Sequence, residues 1–179
     1  MELRLDGRGA LVTGGSRGIG RAVSRLLARI GARVCVGYVG NAAAAEETVE
    51  SIRSTGGEAF AVKADLADPA EAGRLVAAAA SGLGAIDVLV VAHGIWKRAP
   101  IDEMTPEQWD ETIRVNLGGA YAVCHHVARH MIPRRSGAIV TIASTSGQRG
   151  EAFYSHYSAE RTSSVNPVAR TTNRSATRR

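Results

Sequence analysis

The stretch from Gly9 to Ile30 constrains the fold more than any other part of the chain. Gly9-Ala10-Leu11-Val12-Thr13 is a short apolar run. It leads into the cluster Gly14-Gly15-Ser16-Arg17-Gly18-Ile19-Gly20, and an amphipathic stretch follows. An apolar run without polar alternation is the pattern of a strand buried on both faces, which implies a parallel sheet covered by helices. Beyond it, Ile19, Ala22, Val23, Leu26, Leu27 and Ile30 recur at spacings of three and four, predicting one helix stripe against that sheet, and Gly31 supplies the stop. Strand, glycine turn and helix in that order place free N–H groups and the positive end of a helix dipole where a phosphate can sit. A glycine-rich turn without a ligand is the plain alternative.

The alternation continues down the chain. Arg33 to Tyr38 reads as a strand, Ala42 to Ser54 as a helix ended by Gly56 and Gly57, and Ala59 to Ala64 as a third strand. Pro69 to Ala80 is an alanine-rich helix, and Ile86 to Val91 and Ile139 to Ala143 read as the last two strands. Between those two, Thr105-Pro106-Glu107-Gln108 offers a helix N-cap. Trp109, Ile113, Asn116, Ala120, Val123, Val127 and Met131 then predict one long helix as far as Pro133. Five strands alternating with helices predict an α/β fold, a doubly wound parallel sheet of Rossmann type, over residues 1–159. With 179 residues and 45% hydrophobic content, a single domain with a proper core is expected. Residues 160–179 hold seven Ser/Thr and no Leu, Ile, Phe or Met, and a basic, disordered tail is expected there.

Of the formal charge of +5, that tail carries five arginines against Glu160, a net +4 that leaves +1 for residues 1–159. It has no aromatic residue for base stacking and no apolar face for a bilayer, so neither nucleic acid nor membrane is expected as a partner. Cys35 and Cys124 lie far apart in apolar segments and read as small core residues. His126 and His130 share the i,i+4 spacing of metal ligands, but no third ligand stands near them; a solvated helix face is expected and no metal. No charged-then-apolar leader opens the chain and no apolar run approaches about 18 residues, so a cytoplasmic protein is expected.

Thr13-Gly14-x-x-x-Gly18-x-Gly20 resembles the cofactor fingerprint of the short-chain dehydrogenases/reductases, of the classical type that includes 3-oxoacyl-carrier-protein reductases. The resemblance runs from about Leu5 to Ala159. It implies a cofactor loop of Gly14, Ser16, Arg17, Gly18, Ile19 and Gly20. In this loop Gly14 allows the turn, Gly18 lets backbone approach the pyrophosphate, and Gly20 lets the helix lie close to the strand. In that family an acidic residue ending the second strand favours NAD. Here the strand ends Gly37-Tyr38-Val39-Gly40-Asn41, so NADP(H) is favoured over NAD(H), with Arg17 placed to meet the 2′-phosphate. Val39 stands where many NADP-dependent relatives have a second arginine, and a solvated surface residue is the plain alternative for Arg17. Asp65 and Leu66 match the pair that holds the adenine; an aspartate capping the next helix is the rival reading. Where the family reads Asn-Asn-Ala-Gly, this chain has Val91-Ala92-His93-Gly94. Gly94 keeps the close approach to the cofactor, and His93 is expected to be a plain strand-end residue.

The catalytic residues that the resemblance implies are Asn116, Ser144 and Tyr157. Ser144 and Tyr157 stand at the family interval of thirteen residues, Tyr157 precedes Ser158-Ala159, and Tyr154 and Ser146 do not fit that pattern. For Asn116, an ordinary polar residue in mid-helix is the alternative. As hydride reaches a carbonyl carbon, charge develops on oxygen, so Ser144 would hold that oxygen and Tyr157 would protonate it. A free phenol titrates near 10, so a cation must ease its ionisation, and in the family a lysine four residues on does so. Arg161 stands there instead, a broad planar fork in place of a compact ammonium, and impaired activity is expected. Trp96 and residues 147–153 are expected to line the substrate side.

The missing lysine and the composition after Ala159 are both accounted for by a change of reading frame near codon 160; a naturally truncated chain is the alternative. Either way the fifth strand is expected to become an open sheet edge. The homo-oligomer implied by the family is not expected to form fully. The reading is then an NADP(H)-dependent reductase or dehydrogenase of carbonyl and alcohol substrates. A non-catalytic protein that keeps only the nucleotide site is the alternative.

Overall fold

The structure, a computed structural model, describes residues 4–164. Strands β1 (Gly9–Thr13), β2 (Arg33–Tyr38), β3 (Ala59–Lys63), β4 (Val88–Val91) and β5 (Ala138–Thr141) form one parallel sheet in the order β3-β2-β1-β4-β5. The first three strands step one way and the last two the other. The expected doubly wound fold therefore has its switch point between β1 and β4, and a crevice opens there at the carboxyl ends of the strands.

Alternate residues of each strand point to opposite faces, which splits the core in two. Ala10, Val12, Val34 and Val36 pack with Ala28, Ala45, Val49 and Ile52 under helices α1 (Gly18–Arg29) and α2 (Ala42–Arg53). Leu11, Cys35, Leu89 and Val91 pack on the other face with Ala72, Leu75 and Val76 of α3 (Pro69–Leu83) and with Val123, Val127 and Met131. Burial pushes the Cys35 thiol up to about 12 and raises that of Cys124; both are free cysteines in or beside the core.

Helix α1 is turned from the face its apolar residues predict, and of those six only Val23 and Leu27 pack on the core cluster under α1 and α2. Its buried positions are Gly20, Ser24 and Ala28, while Ile19 is 59% and Leu26 46% exposed. The physical reason is distance. A Cβ on Gly20 would collide with the Gly14 carbonyl oxygen, so the helix start lies against the turn and only small side chains fit along the contact. Ser24 spends its hydroxyl on the Gly20 carbonyl and needs no outside partner.

The long helix begins at the expected cap. Thr105 Oγ1 accepts from the Gln108 N–H and Gln108 Oε1 from the Thr105 N–H, at 3.3 and 2.9 Å. It is not one regular helix. Segment α4 (Pro106–Thr112) passes through a π-helical turn (Ile113–Gly118) into α5 (Gly119–Arg134), which ends at Arg135 in the left-handed region with φ 50°. A π-turn winds in one extra residue, a feature that often marks a functional site, and Asn116 is its buried residue.

Strand β5, expected to be an open sheet edge, pairs only with β4 and is half-exposed, with Val140 39% exposed. Two short helices follow, α6 (Ser146–Arg149), which periodicity does not predict, and α7 (Ser155–Ser164). The latter runs five residues past Ala159 into the expected tail. Residues 160–164 are helical because Glu160 and Arg161 are held by polar contacts, which an apolar stripe would not reveal. Residues 165–179 of the expected tail lie outside the described residues. Among the described residues no helix is long and apolar enough to cross a membrane, and no group of three His, Cys, Asp or Glu gathers as for a metal.

Candidate active site

A cleft of about 570 Å³ opens at the switch point between β1 and β4. All nine residues singled out for cofactor contact line it: Gly14, Ser16, Arg17, Gly18, Ile19, Gly20, Asp65, Leu66 and Gly94. The ends of β2 and β4 complete the wall with Tyr38, Asn41, His93 and Ile95.

The glycine loop is built by backbone. Gly14 has φ 65°, and a Cβ there would come within 2.8 Å of the His93 Cα, so the loop crosses directly over the end of β4. Gly18, at φ 53° and with open space where a side chain would be, starts α1 with its N-terminal N–H groups towards the cleft. Arg17 is exposed and makes no cap with its side chain. Asp65 does not cap α3: Asp68 does, accepting from the Ala70 N–H at 2.9 Å, while Asp65 accepts from the Ala67 N–H at 3.0 Å within the preceding turn. Asp65 thus stands exposed at the cleft wall. Among the lining residues Arg17 is the one cationic side chain and Asp65 the one acidic, His93 being neutral.

His93 corrects the plain reading. Its Nδ1 lies 2.8 Å from Thr13 Oγ1, while Nε2 is buried and makes no well-formed hydrogen bond. Burial holds the ring down at about 4, the Val115 carbonyl opposing and Arg161 adding to the effect, so the imidazole is neutral at physiological pH. The signal available in the sequence is positional only: a histidine where the resemblance implies a polar tie between sheet and cofactor.

Asn116, Glu160 and Arg161 meet just beyond Gly94. The Asn116 amide donates to the Ile95 carbonyl at 2.9 Å and to Glu160 Oε1 at 2.8 Å, and its Oδ1 accepts from the Ile95 N–H at 2.8 Å. Glu160 Oε1 also pairs with Arg161 Nε at 2.8 Å, the two side chains being 0% and 11% exposed. Arg161 Nη1 donates to the Ile142 carbonyl at 2.9 Å, and a Cβ on Gly94 would collide with Nη2. Burial raises the Glu160 carboxyl above its ordinary range even though Arg161 and Asn116 pull the other way. Glu160 has a place in the site that its position in a polar, tail-like segment concealed.

Tyr157 is half-buried on α7, and the Arg161 guanidinium carbon lies 5.0 Å from its ring centroid. Ser144 stands three residues past β5, its Oγ accepting from the Ser146 N–H at 3.2 Å. Helix α6 is fixed on α7 by Ser146 Oγ and Ser158 Oγ at 2.7 Å and by Thr162 Oγ1 donating to the Gly147 carbonyl at 2.8 Å. Tyr154 plays a structural part. It stacks on Trp96 with ring centroids 4.6 Å apart, and Trp96 Nε1 donates to Glu151 at 3.3 Å. None of Asn116, Ser144, Tyr157 and Arg161 lines the cleft, which ends at Gly94, Ile95 and Val115.

The family profile described as short chain dehydrogenase matches residues 8–171. A 3-oxoacyl-[acyl-carrier-protein] reductase of Staphylococcus epidermidis is 38% identical over 152 residues, 85% of this chain and 62% of the relative. Versicolorin reductase 1 of Aspergillus parasiticus is 37% identical over 88% of this chain and 60% of its own length. Among solved structures, a short chain dehydrogenase from Burkholderia cenocepacia in complex with NADP superposes with a TM-score of 0.83 at 35% identity, covering 91% of this chain and 66% of that one. A dehydrogenase/reductase from Sinorhizobium meliloti reaches 0.84 at 35% identity, covering 90% and 64%. The chain therefore spans a little over three fifths of the relatives' length, 62% for the Staphylococcus enzyme.

Proposed function

Because this chain belongs to the short chain dehydrogenase family, we propose that its cleft holds NADP(H) and that it serves hydride exchange between that cofactor and a carbonyl or alcohol substrate. The observation that carries this reading is the cleft at the switch point, lined by the glycine loop, Asp65, Leu66 and Gly94. The residues fit a dinucleotide. Gly18 leaves open space at the start of α1 for a pyrophosphate, and Asp65 and Leu66 stand at the adenine end. The end of β2 offers Tyr38, Val39, Gly40 and Asn41 with no carboxylate to repel a 2′-phosphate, and Arg17 is placed to pair with it. The NADP complex of the Burkholderia relative and the two relatives named as reductases support the same assignment.

When bound, the cofactor supplies or accepts the hydride. The chain supplies the rest: the Ser144 hydroxyl holds the substrate oxygen and the Tyr157 phenol gives it a proton. The Arg161 guanidinium lies over the Tyr157 ring, 5.0 Å from its centroid. Its fork is spent on Ile142 and Glu160, however, and turnover is low. Fluorescence titration tests the cofactor assignment: NADPH should bind at least about tenfold more tightly than NADH, a difference near 1.4 kcal/mol, and binding of neither would end the reading. A second reading, a nucleotide-binding protein without turnover, is favoured by the commitment of Arg161 to main chain and carboxylate. Single-turnover mixing of the NADPH complex with a panel of ketones separates the two, since a binding protein oxidises no cofactor.

A further inference from the structure

We infer that the cleft, as this chain folds it, is a site for 2′-phosphorylated adenine nucleotides that stops short of the nicotinamide, because Arg161, latched by Glu160, closes the end where that ring would enter. The inference rests on the nucleotide reading above and limits which part of the nucleotide the site takes.

The adenine end is fully formed, with Arg17, Asp65, Leu66 and the glycine loop all on the cleft wall. The other end stops at Gly94, Ile95 and Val115, and Arg161 lies directly past Gly94. Two polar contacts hold the guanidinium, Ile142 O at 2.9 Å and Glu160 Oε1 at 2.8 Å, and Nη2 fills the space that a Cβ on Gly94 would take. A planar fork held through two different nitrogens is constrained in rotation as well as position. Glu160 is itself oriented by the Asn116 amide at 2.8 Å. Swinging Arg161 out would break an ion pair whose Glu160 side chain is 0% exposed, and breaking a buried pair is costly. The closed arrangement is therefore the resting one, and a ligand that needs the nicotinamide end must first open it, losing affinity by the fraction of open molecules. A ligand that uses only the adenine end does not.

The test is calorimetric titration of the full 179-residue chain with NADPH and with adenosine 2′,5′-bisphosphate. The two dissociation constants should agree within about threefold in the unmodified protein. In Arg161→Ala the NADPH constant should fall by at least about tenfold while that of the bisphosphate stays within about twofold, as expected when a closed fraction is released. Glu160→Gln, which loosens the latch without emptying the space, should shift NADPH in the same direction by less. The inference is overturned if the unmodified chain binds NADPH tenfold or more tightly than the bisphosphate, or if Arg161→Ala moves both ligands alike. Should Arg161→Ala not fold, as judged by its melting transition, the ratio in the unmodified chain decides. If neither ligand binds the unmodified chain, the nucleotide reading itself falls, and the latch with it.

Discussion

His93 Nδ1 lies 2.8 Å from Thr13 Oγ1, tying the end of β4 to the end of β1 across the floor of the cleft. The same hydroxyl accepts from the Ala92 N–H at 3.2 Å, so one threonine organises the crossing of both strand ends. The histidine serves here as a neutral hydrogen-bonding wedge between two strands.

Its proton affinity gives a pH signature. The folded ring titrates at about 4 against the ordinary 6.5, so between those values the unfolded chain binds a proton that the folded one refuses, and stability falls as pH drops through that window. The loss from this group is at most on the order of 3 kcal/mol. His156, pushed down by its own burial, acts in the same direction. Urea unfolding near the two ends of the window should show His93→Asn losing less stability than the unmodified chain; equal losses would refute the assignment.

Gly20→Ala should destabilise the chain by about 1–3 kcal/mol, because the new methyl group meets backbone at Gly14, which cannot step aside. The natural control is Gly40→Ala, where a Cβ meets nothing within 4 Å; it should lie within about 0.5 kcal/mol of the parent. Thermal melts of the two variants check the contrast.

Tyr157→Phe should lower single-turnover reduction of a ketone by about 10²–10⁴-fold, and Ser144→Ala by roughly 10²–10³-fold. Neither residue lines the cleft, so NADPH affinity should change by less than about twofold, a near-zero binding effect. A variant that lost binding and turnover together would remove these residues from their catalytic roles.

Val140→Lys addresses the open edge. Val140 lies 39% exposed on β5, which ends the sheet among the described residues. A charge on an edge strand opposes strand addition from another copy. Light scattering at increasing concentration should show the variant staying monodisperse where the parent associates; identical behaviour would mean that β5 is not the sticky edge.

The cofactor cleft is legible in the sequence because its parts are local: a strand, a glycine turn and a helix start within twelve residues of one another, and the other strand ends follow by alternation. The face of α1 escapes the sequence pattern for a physical reason. Periodicity counts apolar residues, whereas a helix drawn against a turn at backbone distance selects small ones, so Gly20, Ser24 and Ala28 take the place expected of Ile19 and Leu26. The partnership of Asn116 with Glu160 joins positions 44 apart, and no spacing rule reaches that far. Nor does residue type announce it, since a glutamate among serines and arginines reads as solvated surface.

The π-turn at Ile113–Gly118 absorbs a residue that the rest of the helix could not. Deleting one residue there would let the hydrogen-bond ladder relax to a regular helix with the flanking segments still in phase, at the cost of the seat that Asn116 occupies. A deletion in the regular turns of α5 would instead rotate everything beyond it by about 100° and take residues such as Met131 out of the core. Loops on either side can gain or lose residues at little cost. The regular turns of α5 cannot, so an insertion or deletion between Gly119 and Arg134 is one that the chain is poorly able to absorb.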